Sequence, residues 1–109
     1  MDSLTLLRSR LTEFAAVVRL ADPDRGRVQN SFLQLQRQFQ VVARDRGMEA
    51  TVQPVLTEIS RTLRLIGVDL AFLQASRQPV TLEQRQSQLD GRLTQLGNWL
   101  DYLCQPSSQ

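Results

Sequence analysis

Apolar residues recur at intervals of three and four in four stretches of the chain, separated by proline and glycine. Leu4, Leu7, Leu11, Phe14 and Val18 share one helical face. Asp2 or Ser3 is suited to cap its start, and the spacing predicts a helix over 3–21. It should stop there because Asp22 precedes Pro23 and is biased away from helical ψ. A second helix is expected over 23–46, with Asp22 as its cap and Pro23 in its first turn. Its stripe is Val28, Phe32, Leu35, Phe39 and Val42; Arg44 and Arg46 suit its negative end, and Gly47 is a natural C′ residue. The third, over 52–76, has the longest stripe: Val52, Leu56, Ile59, Leu63, Ile66, Leu70 and Leu73. Thr81 to Gln84 reads as a capping box for a fourth helix over 82–104. There Leu82, Leu89, Leu93, Leu96, Leu100 and Leu103 align, with Trp99 at their edge.

Three short connections make consecutive helices antiparallel neighbours. The expected fold is therefore all-α: an up-down-up-down four-helix bundle in a single domain over 1–105, with 106–109 as a frayed tail. The rival is a long helical hairpin that completes its core by dimerising. Glutamines at 34, 36, 38 and 40 alternate with core positions and read as a solvated helix face.

The third helix departs from the one-stripe pattern. Leu65, Ile66, Val68, Leu70, Ala71, Phe72 and Leu73 surround most of its circumference and enclose one acid, Asp69. Hiding every face of a helix in so small a protein needs several neighbours or a second molecule, so a homodimer is expected. Asp69 reads as an ion-pair member, with Arg64 or Arg77 as candidate partner, or as a residue at the margin of the helix. A covered and unpaired carboxylate would cost several kcal/mol. A role in binding a partner is the alternative.

Chemistry narrows the function classes. The chain has no histidine, so acid–base work near neutral pH and most transition-metal sites lose their commonest residue. Cys104 stands alone, without a disulfide partner, and is expected to be a small core or edge residue. The glycines are singly placed and make no phosphate-cradling loop; close approach of another helix is one reason for Gly67. No catalytic, cofactor or metal site is expected. The N-terminal stretch lacks a signal-peptide h-region, and no apolar run approaches a bilayer span, which predicts a cytoplasmic protein without membrane insertion.

The thirteen basic residues are all arginine, against eleven acids. A net charge of +2 is no electrostatic footprint for nucleic acid. The second helix does concentrate Arg25, Arg27, Arg37, Arg44 and Arg46 against Asp24 and Asp45. Its aromatics belong to the core stripe, so none remains for base stacking. Weak nucleic-acid binding is thus the least favoured of three readings. A generic helical adaptor is the second.

The first reading comes from a resemblance. Leu63-Arg64-Leu65-Ile66, Asp69, Phe72-Leu73-Gln74 and Arg77-Gln78, followed by a Gln/Arg-rich last helix, resemble the PatD-like family of cyanobacterial heterocyst frequency control proteins. The likeness covers roughly the C-terminal half. It implies a non-enzymatic regulator that associates with the division protein FtsZ and affects filament assembly. Arg64, Asp69, Phe72, Gln74, Arg77 and Gln78 are then the partner-binding candidates, with Phe72 as a buried anchor, the others as polar contacts, and Arg64 also a candidate partner for Asp69.

Overall fold

The computed structural model describes residues 2–20, 24–75 and 78–104. Four helices follow in order: α1 (Ser3–Val18), α2 (Arg25–Arg46), α3 (Gln53–Ala75) and α4 (Pro79–Cys104). They form an elongated bundle of 49 × 23 × 17 Å. The hairpins α1–α2 and α3–α4 pack most extensively, α1 meets α4, and the seam between α2 and α3 is the loosest. The all-α bundle expected from the spacing is the fold observed.

Helix ends differ from the expected ones for local reasons. α1 stops at Val18 rather than 21: Leu20 N–H donates to the Val17 carbonyl at 3.3 Å, tightening the last turn to an i→i+3 bond. The cap of α2 is Asp24, whose carboxylate accepts from Gly26 N–H at 2.9 Å; Asp22 and Pro23 lie outside the described residues. α4 begins at Pro79, so Thr81 sits inside its first turn instead of capping it. Proline at the first helical position needs no N–H partner, and Leu82 N–H closes the turn on the Gln78 carbonyl at 3.0 Å. Gly47 ends α2 with φ −65°, not in the left-handed region. Its value is space: a Cβ there would lie 2.5 Å from the Ala43 carbonyl oxygen.

The core is built from the four stripes. Phe14, Leu35, Val42, Ile59, Ile66 and Leu89 are among its buried members, and Phe14 and Phe32 stack obliquely with ring centroids 5.4 Å apart. Leu11, Leu73 and Trp99 are only partly buried, on the edges of their stripes. A Cβ on Gly67 would meet the Phe32 ring at 3.4 Å, so α3 comes close to α2 at that point. The glutamine row is less solvated than its alternation suggests: Gln34, Gln36 and Gln38 are half-buried, and the Gln38 amide donates to the Ser3 carbonyl at 2.8 Å. Cys104 is exposed rather than a core residue; the Arg8 guanidinium lies 3.7 Å from its Sγ and also pairs with Asp101.

Candidate functional site

Successive residues of a helix are about 100° apart, so the candidates on α3 point in different directions. Asp69 faces α4. It is 2% exposed and accepts a hydrogen bond from Arg92 Nε at 2.5 Å. Its partner is therefore Arg92, not Arg64. Arg64 lines the cleft between α3 and α2, about 140° around the helix from Asp69. Arg77, the other candidate partner, lies outside the described residues.

Phe72 is not a buried anchor. It is 46% exposed, with Val68, one turn before it, at 47%. The Arg85 guanidinium carbon sits 4.2 Å from the Phe72 ring centroid, a cation–π contact that covers one face of the ring. The exposed Ala71 and Ala75 continue the surface, so the outward side of the C-terminal half of α3 is apolar. The rest of its circumference is accounted for: Ile66 and Leu70 enter the core, Asp69 meets α4, and Gly67 meets α2.

Gln74 and Gln78 serve the fold. The Gln74 side chain bonds to the Gln29 amide at 3.2 Å, and its carbonyl accepts from Arg25 at 3.1 Å, tying the end of α3 to the start of α2. Exposed Gln78 provides the carbonyl that closes the first turn of α4. Beside them, Val28, Leu70, Leu73 and Leu82 line an open cleft of about 770 Å³ at this end of the bundle, rimmed by Arg19 and Glu83.

The six candidates therefore do not converge on one site. Of the six, Phe72 and Arg64 stand on the outward side of α3, with Val68 between them and Arg85 against the Phe72 ring; Val68 and Arg85 were not among the candidates. Arg85 and Arg92, seven apart on α4, share the side of that helix that faces α3. That interval was the available signal. Among the described residues, no group of three or more His, Cys, Asp or Glu side chains is placed to hold a metal ion, and no helix is long and apolar enough to cross a membrane. No family model, curated protein or solved structure matches the chain.

Chemically, the arrangement offers contact area. Two large apolar side chains stand half out of water on a rigid helix, beside an arginine with its guanidinium spread flat. Aromatic and arginine side chains are enriched where protein interfaces carry most of their energy.

Proposed function

We propose that this chain is a non-enzymatic cytoplasmic regulator whose α3 surface contacts protein partners, with FtsZ polymers as its target and a second copy of itself as its companion. The observation that carries the contact surface is the exposure of Val68 and Phe72 beside Arg85. The choice of FtsZ rests on the PatD-like pattern from Leu63 to Gln78.

A regulator of filament assembly needs at least two contacts, because a single monovalent contact cannot link polymers. Self-association through one surface and polymer binding through another would meet that need. The apolar strip on α3 suits self-association, and Arg85 with the exposed Glu83 and Gln84 of α4 suits a rim.

The test is sedimentation of FtsZ polymers with and without the protein. The expected result is co-sedimentation together with a change in polymer mass or bundling. Absence of both would overturn the FtsZ assignment. Light scattering after gel filtration reads the companion claim: a dimer is expected for the wild type and a monomer for Val68→Ser/Phe72→Ser.

A further inference from the structure

The charges of this bundle are unevenly satisfied. On the α1 and α4 side arginines meet acids: Arg8 with Asp101, Arg19 with Asp90, Arg10 with Glu13. Among the described residues, Arg37 and Arg44 on α2 and Arg61 and Arg64 on α3 are exposed and make no salt bridge.

Two of them, Arg61 and Arg64, flank one feature. The Gln29–Gln74 bond and the approach of Gly67 to Phe32 set the antiparallel register of α2 and α3. That register puts Arg37 level with Leu63 and Arg64, and Arg44 level with Leu56 and Thr57, but Arg37 and Arg44 stand about 160° and 140° around α2 from Phe39 and point out to solvent. Between the helices runs a groove of about 530 Å³, with Phe39, Ala43 and Leu56 on its floor and Arg61 and Arg64 on its wall. The acids of this region turn elsewhere. By helical rotation Asp45 points toward α1, and Glu58 toward α4.

We infer that the seam between α2 and α3 is a docking groove for an acidic peptide segment carrying one or two apolar anchors. The floor supplies apolar contact where the two helices touch least, and Arg61 and Arg64 on the α3 wall supply charge of one sign. Arginine pairs bidentately with carboxylates, so such a rim selects Asp and Glu over neutral residues. A helical or extended segment with its apolar side down would meet this pattern. Nucleic acid fits it less well, because Phe39 is buried in the floor and no exposed aromatic beside these arginines offers a stacking platform. Arg61 and Arg64 stand on the same side of α3 as Val68 and Phe72, about one to two turns nearer its start; charge reversal at the two arginines and Val68→Ser/Phe72→Ser therefore test this inference and the preceding reading separately.

The test is selection of a random-peptide display library on the full-length protein, followed by anisotropy titration of the enriched peptides. The expected consensus has apolar residues flanked by Asp or Glu, and affinity should fall as salt rises. Arg61→Glu/Arg64→Glu should weaken binding by about tenfold or more. Arg10→Glu, on the opposite side, should leave binding unchanged. If the charge reversal disturbs folding by circular dichroism, Arg61→Gln/Arg64→Gln takes its place, with a smaller loss expected. Enrichment of neutral or basic peptides, no enrichment, or binding indifferent to these arginines would overturn the inference. Tighter binding of a single-stranded oligonucleotide at the same arginines would also overturn it.

Discussion

Asp69 on α3 and Arg92 on α4 form an ion pair in which the carboxylate is buried and the arginine side chain retains 23% of its exposure. The pair spans the α3–α4 hairpin and fixes how those two helices rotate against each other. Removing the arginine strands a carboxylate away from water, whereas removing both leaves an apolar gap without a charge. Arg92→Leu is expected to cost about 3 kcal/mol of unfolding free energy. Asp69→Leu/Arg92→Leu should recover much of that loss. Urea denaturation of the two singles and the double gives the coupling directly, and additive losses would mean that the pair contributes little.

The stripes made the bundle legible, because each helix has one face that water must leave. The pairing of Asp69 was not legible. A helical face restricts a partner to a neighbouring helix without saying which arginine, and the nearby Arg64 faces the other way. The positions of Phe72 and Gln74 were obscure for a related reason. A segment apolar on nearly all sides does not show which side its neighbours leave uncovered. The start of α4 was misplaced because two signals compete there, and proline at the first helical position prevails over a capping box two residues later.

Glycines inside α4 are open to improvement. A Cβ on Gly91 or Gly97 meets nothing within 4 Å. Gly91→Ala and Gly97→Ala should each raise stability by about 0.5–1 kcal/mol through helix propensity and a less flexible unfolded chain. Gly47→Ala should lower it, since its Cβ would be pressed on the Ala43 carbonyl. Thermal melts of the three variants separate these directions.

The turn after α2 carries a pH-dependent contribution. A side-chain hydrogen bond from Arg46, whose Nε lies 2.9 Å from Oε2, holds the Glu49 carboxyl below its usual range. Arg46 also donates to the Leu103 carbonyl at 3.2 Å, linking this turn to the end of α4. A depressed carboxyl stabilises the fold fully above the unfolded value of about 4.3, and that contribution fades as pH falls through the lower folded value. Wild type should therefore exceed Glu49→Gln slightly near neutrality, and the two should converge in acid. Parallel melting curves at every pH would contradict this assignment.

Exposure separates binding from folding on α3. Phe72→Ala forfeits a half-exposed ring and one cation–π contact, a loss of under about 1.5 kcal/mol. Ile66→Ala, in the fully buried core, should cost about 2–5 kcal/mol. Chemical denaturation should show that gap, and Phe72→Ala should still weaken partner association.

The central claim is that the outward side of α3 is where protein partners land. Amide and side-chain methyl NMR shifts of the labelled protein, recorded from dilute to concentrated solution as copies associate, test it most directly. The account predicts that changes concentrate on Val68, Ala71, Phe72 and Ala75, with Arg85 alongside. Changes confined to α1 or to the far end of the bundle, or no changes at all, would contradict it.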